Sequence, residues 1–97
     1  MRELEVFTGE LLEESWLTLE QLAAACAVEQ QWLLNHLEAG LIPSASSIGG
    51  TWRFSNRCLI RARRMRQLER DFDAVPELAA LVSDLMEELD SLRQRLR

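Results

Sequence analysis

Apolar residues recur with two different periods along this 97-residue chain, and each change of period marks a predicted element. Residues 3–7 alternate glutamate with apolar side chains, a period of two that predicts a short, half-buried strand before Gly9. Helical spacing then begins at Thr18, a predicted N-cap with Gln21 three residues later. This capping box predicts a helix that runs to about Cys26.

A second predicted helix follows a break of two residues at 27–28. Leu33, Leu34 and Leu37 share its packed side, and Gly40 fits a left-handed C-terminal cap, which together predict a helix over 29–39. Two short helices joined by a tight turn are typical of a helix-turn-helix.

Two adjacent glycines, Gly49 and Gly50, predict a two-residue hairpin turn, because glycine adopts positive φ at both central positions. The hairpin forms a predicted wing after the helix-turn-helix. Trp52 and Phe54 share one face of its second strand, and Arg53 lies on the other.

A third helix is predicted from a cap at Ser55 to about Arg70. Its apolar residues recur every third position, and arginines occupy the rest of its circumference. The same helix therefore carries a buried face and a basic face. The apolar positions are Leu59, Ala62, Met65 and Leu68.

The last segment has the clearest periodicity, with apolar residues spaced alternately by three and four over three heptads. Asp73 is a predicted N-cap for this helix, and Pro76 is tolerated in its first turn. Ala79, Leu81 and Met86 widen the apolar face near its start, so we expect this part to pack on its own domain. The narrow heptad seam is expected to meet a second helix, most simply that of another copy. The predicted dimerisation residues are Val82, Leu85, Leu89, Leu92 and Leu96.

The direction of this helix pair stays open. Glu88 flanks the seam and pairs across it with Arg93 in a parallel dimer or with Arg95 in an antiparallel one.

Charge is segregated along the chain, which contains no lysine. Residues 1–50 hold eight acids and one arginine, residues 51–70 hold seven arginines and one acid, and residues 71–97 hold seven acids and three arginines. The central basic block could contact nucleic acid, bind phosphate or form internal ion pairs, and the acidic segments on both sides favour internal pairing.

The remaining composition narrows the functional classes. The start of the chain has neither a basic region nor an apolar core, and no apolar run is long enough to span a bilayer, so we expect a cytoplasmic protein without a signal peptide or membrane contact. Cys26 and Cys58 are far apart and His36 is the only histidine, so we expect two buried, reduced thiols and no metal or cofactor. No nucleophile-base spacing or phosphate loop is present, and we expect no enzymatic activity.

The second predicted helix lacks the cations that reading DNA requires. Residues 29–39 contain no lysine or arginine and include Glu29 and Glu38, which phosphates would repel. This composition favours a protein partner.

These elements together resemble a MerR-type winged helix-turn-helix. The resemblance rests on residues 17–19 at the first helix, Val28 in the turn, residues 38–43 after the second helix, and the wing at 50–54. It implies a mainly α fold: a MerR-like winged helix-turn-helix domain over residues 1–70, with a short N-terminal strand and a wing hairpin, and a coiled-coil-type dimerisation helix over 71–97.

The chain departs from the transcriptional branch at its second helix, where an Arg-Tyr-Tyr-like trio is replaced by Leu34, Asn35 and His36. DNA binding is the alternative function, and phosphate contacts can come from outside the recognition helix. Its candidate residues are Arg53, which matches the wing arginine, with Arg57 and Arg61 on the third helix.

The chain resembles the CbpM chaperone modulators more closely, from the N-terminal strand through residues 51–54, 75–78 and 92–96. This resemblance implies a small homodimer that binds the J domain of the DnaJ-like co-chaperone CbpA and inhibits its stimulation of Hsp70. J domains generally present a basic helical surface, so we expect carboxylates around an apolar anchor. Candidate contacts are the acids Glu77, Asp84, Glu87, Glu88 and Asp90 and the aromatic anchors Trp16 and Trp32.

Overall fold

The computed structural model describes residues 16–43 and 45–96, so the predicted strand at 3–7 lies outside the described residues. The described chain forms four helices and one two-stranded antiparallel sheet. Their order is α1 (Leu19–Cys26), α2 (Gln30–Glu38), β1 (Ser46–Ile48), β2 (Thr51–Arg53), α3 (Asn56–Phe72) and α4 (Pro76–Arg95). The predicted mainly α fold, with a helix-turn-helix followed by a wing hairpin, is confirmed.

Local capping sets the bounds of the helix-turn-helix. The Thr18 hydroxyl accepts from the Gln21 amide at 3.1 Å and the Gln21 side chain accepts from the Thr18 amide at 3.0 Å, so the predicted capping box is confirmed. After α2, Gly40 adopts a φ of 74°, and the next amide, that of Leu41, donates to the His36 carbonyl at 3.0 Å. The predicted glycine cap is therefore also confirmed.

The turn between α1 and α2 uses the same left-handed cap without a glycine. Ala27 has a φ of 57°, and the amide of Val28 donates to the carbonyl of Ala23 at 3.0 Å. A left-handed conformation brings Cβ close to the following carbonyl oxygen and costs about 1–2 kcal/mol for an L-residue. The surrounding helices therefore hold Ala27 in an unfavourable conformation.

We expect Ala27→Gly to raise the free energy of unfolding by about 0.5–1 kcal/mol, since removal of Cβ relieves the left-handed strain by more than the added backbone entropy of glycine costs. Urea unfolding followed by circular dichroism measures the change. The control is Ala24→Gly, at an exposed right-handed position of α1, which we expect to destabilise by about 1 kcal/mol. Equal destabilisation by both substitutions would contradict the prediction.

The wing is a tight hairpin that closes on the segment before α1. Gly49 and Gly50 have φ values of 59° and 80°, as the predicted turn requires. The Trp52 and Phe54 rings stack with centroids 6.1 Å apart, which confirms their shared face. The backbone of Phe54 pairs with that of Leu17 through hydrogen bonds of 2.7 and 3.0 Å, so the wing and the start of the helix-turn-helix are joined.

Two clusters of buried side chains form the core. The larger one joins α1, α2, the wing and the first half of α3, and Leu22, Leu33, Phe54 and Cys58 are fully buried in it. The smaller one joins α3 to α4 and centres on Met65. Because α3 contributes to both clusters, it is the element that fixes α4 relative to the helix-turn-helix.

The junction between α3 and α4 differs from the prediction. Asp73 ends α3 in a left-handed conformation with a φ of 56°, and Val75, not Asp73, occupies the N-cap position of α4. An aspartate at a helix end tolerates this conformation better than most non-glycine residues. Pro76 lies in the first turn of α4, as predicted. Ser55 stands at the predicted N-cap of α3, but its side chain makes no capping hydrogen bond.

The packed face of α4 differs from the prediction in part. Ala79 is buried against the domain as predicted, together with the small residues Ala80 and Ser83, whereas Leu81 and Met86 are 54% and 38% exposed. Small side chains allow the backbones of α3 and α4 to approach closely. The heptad seam lies on the side of α4 opposite to these small residues. Four of its leucines are exposed in the single chain: Leu85, Leu89, Leu92 and Leu96.

Candidate partner-binding surface

The contact between α3 and α4 is built around one buried arginine. Arg61 is only 3% exposed, and its guanidinium donates to Asp84 at 2.8 Å and to Glu87 at 2.9 Å. It also donates to the carbonyls of Leu41 at 2.8 Å and Ala80 at 3.4 Å. One side chain therefore joins α4, α3 and the loop after α2.

A second ion pair extends this contact along the two helices. Arg64 donates to Asp90 at 2.8 Å, one helical turn beyond the Arg61 cluster. Part of the basic block is therefore neutralised internally by the acids of α4, as the charge pattern favoured.

The DNA-contact prediction for Arg61 is wrong, because its guanidinium is buried and already bound to two carboxylates and two carbonyls. Arg53 on the wing and Arg57 at the start of α3 are exposed, and neither forms an ion pair within residues 16–43 and 45–96. Helix α2 itself contains no lysine or arginine, so a recognition helix at this position would offer a phosphate backbone no cation of its own.

The five predicted acidic contacts fall on different sides of α4. Glu87 and Asp90 point toward α3 and are held in ion pairs. Glu77 and Glu88 are exposed and form no hydrogen bond or ion pair with the rest of the described chain. The Asp84 side chain faces both α3 and solvent, since it binds Arg61 and is still 60% exposed.

The exposed acids form a continuous stripe with one apolar residue. Glu77, Leu81, Asp84 and Glu88 follow one another at spacings of four, three and four, which places them on one flank of α4. We call these four residues the acidic stripe. It spans about 16 Å, at a rise of 1.5 Å per residue, and runs beside the exposed heptad seam.

The two predicted aromatic anchors lie in different environments. Trp16 is 37% exposed just before the Leu17 bridge. Trp32 is half-buried on α2, where its indole N–H donates to Glu69 at 3.1 Å and its ring stacks on His36 with centroids 3.8 Å apart. The structure brings neither tryptophan into the acidic stripe.

Sequence reasoning missed the role of Glu69. Its two carboxylate oxygens bind Trp32 Nε1 and, at 2.7 Å, His36 Nε2, while His36 Nδ1 faces the Trp32 carbonyl at 2.7 Å. The imidazole of His36 therefore lies between two acceptors, a backbone carbonyl and a carboxylate. The signal in the sequence was that Glu69 is the single acid in the basic block and His36 the single histidine.

The two cysteines are buried and do not form a disulfide, as predicted. Burial raises the pKa of the Cys26 thiol, although the nearby Arg63 and Arg66 guanidinium groups act in the opposite direction. Cys26 therefore stays a protonated core side chain near neutral pH. Within the described residues, no three His, Cys, Asp or Glu side chains are grouped to hold a metal ion.

None of the described helices is both long and apolar enough to cross a membrane. The longest, α4, contains five acids and two arginines.

Comparison with known proteins agrees with this architecture. The profile of the MerR HTH family regulatory proteins matches residues 17–97. The chaperone modulatory proteins CbpM of Coxiella burnetii strains Dugway 5J108-111 and CbuG_Q212 are each 29% identical to this chain over 94 residues, which cover 96% of the chain and 89% of each relative. No solved structure matches the chain significantly.

The family descriptions are those of regulatory and modulatory proteins rather than enzymes. The predicted resemblance to the CbpM chaperone modulators is confirmed by relatives that align over nearly the whole chain. This chain belongs to the MerR HTH family of regulatory proteins.

Proposed function

We propose that this protein is a chaperone modulator that binds the J domain of a CbpA-like co-chaperone and inhibits its stimulation of Hsp70. The name of its relatives, chaperone modulatory protein, supports the general role. The acidic stripe supports the choice of a basic partner, because three exposed carboxylates surround the apolar side chain of Leu81.

Electrostatic complementarity explains how such a stripe recognises a J domain. A basic helix laid against α4 would place its cations opposite Glu77, Asp84 and Glu88 and an apolar side chain against Leu81. Attraction between opposite surfaces accelerates encounter and fixes the relative orientation of the two proteins. Occupation of the basic J-domain surface would then block its access to Hsp70.

The ion pairs on the inner side of α4 hold the stripe in place. Arg61 and Arg64 fix the rotation of α4 about its axis through Asp84, Glu87 and Asp90. The remaining acids on the outer flank are therefore presented in one orientation before a partner binds, and this reduces the entropic cost of association.

The same helix supports a second part of the proposal, a homodimer formed through the heptad seam. In this arrangement residues 1–70 form the winged helix-turn-helix domain and residues 71–97 form the dimerisation helix. The exposure of Leu85, Leu89 and Leu92 leaves this seam available in the single chain. Each dimer would carry two acidic stripes and bind two J domains.

We further propose that the protein acts in the cytoplasm as a binding protein without catalytic activity or a cofactor. Its targets would be the cytoplasmic co-chaperone and the Hsp70 cycle that the co-chaperone stimulates.

We expect the double variant Glu77→Lys/Glu88→Lys to lose affinity for the purified CbpA J domain by about tenfold or more, because two attractive contacts become repulsive. Isothermal titration calorimetry measures the affinity. These two acids are chosen because neither forms an ion pair within the described chain, so their reversal leaves the Arg61 contact intact.

The control is Glu20→Lys/Glu38→Lys, which reverses two exposed acids on α1 and α2 and causes the same change in net charge. The control variant should retain its affinity within about twofold, and raised salt should weaken the wild-type complex. Undiminished binding by the α4 variant would contradict the acidic stripe as the contact. Absence of any complex at low salt would contradict the proposed function itself.

A further inference from the structure

Three arginines form a separate basic surface on the side of α3 that faces away from α4. Arg63, Arg66 and Arg70 are spaced by three and four, which places them on one face of the helix. Together with the end of α1 they line a depression of about 280 Å³. No acidic residue lines this depression among the residues that the structure describes.

The neighbouring depression is larger and less polar. It has a volume of about 400 Å³ and lies beside the helix-turn-helix turn, where Val28 and Trp32 form its apolar part. Arg66 and Arg70 line both depressions and so form the ridge between them. We call the two depressions together the arginine surface.

Arg66 differs from the other central arginines of α3 in its contacts. Arg61 and Arg64 bind carboxylates of α4, Arg63 donates to the Ala25 carbonyl at 3.2 Å, and Arg70 donates to Asp71 at 3.1 Å. Arg66 is half-buried and forms neither a hydrogen bond nor an ion pair with any described residue. A partly desolvated guanidinium binds a carboxylate strongly, because its fork of N–H groups fits the two oxygens.

The remaining charges distinguish a peptide from a nucleic acid as the ligand. Glu29 and Glu69 line the apolar depression, and Glu38 lies farther along α2. A continuous phosphate backbone laid across this surface would approach these carboxylates. A short peptide avoids them, since it can place an apolar side chain against Trp32 and its acids over the three arginines.

We propose that the arginine surface binds an acidic peptide segment of a second protein partner. An apolar side chain of the segment packs against Val28 and Trp32, and the carboxylates that follow it pair with Arg66 and with Arg63 or Arg70. This site differs from the acidic stripe in position and in the sign of its charge, so it does not depend on the proposed binding of a J domain.

A displayed library of short random peptides tests this proposal and does not require the partner to be identified. The library is selected on the full-length wild-type chain, and the selected peptides are synthesised with a fluorophore for polarisation measurements. We expect enrichment of sequences in which an aromatic or aliphatic residue precedes two or more acids. We expect Arg66→Gln to weaken these peptides by about tenfold or more.

Arg57→Gln is the matched control, because it removes the charge of an exposed arginine on the opposite flank of the same helix. The control should bind the peptides with unchanged affinity. Equal loss in both variants would show general charge attraction and overturn the proposal, as would a selection that enriches no acidic sequences.

Two further measurements exclude other ligands. A short DNA duplex that binds wild type more tightly than the peptides do, and loses that binding in Arg66→Gln, would assign the surface to nucleic acid and overturn the proposal. A change in sedimentation mass on Arg66→Gln would assign it to an interface between copies of this chain and would also overturn it. The peptide site is supported if Arg66→Gln leaves the sedimentation mass unchanged and if the duplex binds wild type less tightly than the peptides do.

Discussion

We expect Arg61→Ala to lower the free energy of unfolding by about 3 kcal/mol. The alanine removes a buried side chain that binds Asp84 and Glu87 and satisfies the carbonyls of Leu41 and Ala80. The part-buried Leu41 carbonyl loses its hydrogen bond from Arg61. A space the size of the arginine stem opens between α3 and α4, and Asp84 and Glu87 repel each other without a cation between them. Urea unfolding monitored by tryptophan fluorescence measures the loss.

Arg57→Ala is the control for Arg61→Ala, since it deletes an exposed arginine one turn earlier on α3 and should change stability by no more than about 0.5 kcal/mol. Arg61→Met adds a second comparison, because methionine refills the space without restoring the hydrogen bonds. We expect Arg61→Met to have an intermediate stability. If Arg61→Ala were as stable as the control, the four contacts of the guanidinium would contribute nothing to the fold.

We expect Leu89→Glu to convert the proposed homodimer to a monomer, with an increase of about a thousandfold in the dissociation constant. Burial of one leucine side chain contributes about 1.5–3 kcal/mol, and a two-fold dimer loses this contribution from both copies. The substituted glutamate also brings two like charges to the seam. Sedimentation equilibrium over a range of protein concentrations measures the change.

Ile60→Glu is the matched control for Leu89→Glu. Ile60 is exposed to a similar degree, at 49% against 46% for Leu89, but it lies on α3 beside the groove toward α4 rather than on the heptad seam. The control variant should remain dimeric, and the helix content of both variants should match that of the wild type. A wild-type chain that sediments as a monomer at all concentrations would contradict the dimer.

The elements that the sequence predicts correctly are those set by neighbouring residues. The capping box of Thr18 and Gln21, the left-handed cap at Gly40 and the two-glycine turn of the wing each depend on contacts within about five positions. Their residue types therefore predict local geometry whatever the rest of the fold is. The family resemblance then supplies the order in which these pieces assemble.

Apart from the helix caps expected at Ser55 and Asp73, the predictions that failed depend on how elements pack across the chain. Periodicity identifies α4 as amphipathic, but it does not show that the small residues Ala79, Ala80 and Ser83 face the domain while the leucines face away. The burial of Arg61 is equally hidden, because an arginine on a helix is usually exposed. Only the approach of α4 and the loop after α2 supplies the acceptors that make this burial favourable.

The stability of the C-terminal end of α4 is linked to the proposed dimerisation. From Ser91 to Leu96 every side chain is exposed, so the end of this helix has few contacts with the rest of its own chain. Isolated helices shorter than about 12–15 residues are only marginally stable in water. Backbone amides here would therefore exchange with solvent faster than those near Ala79 in a single chain, and association through the seam would slow this exchange most at the end of α4.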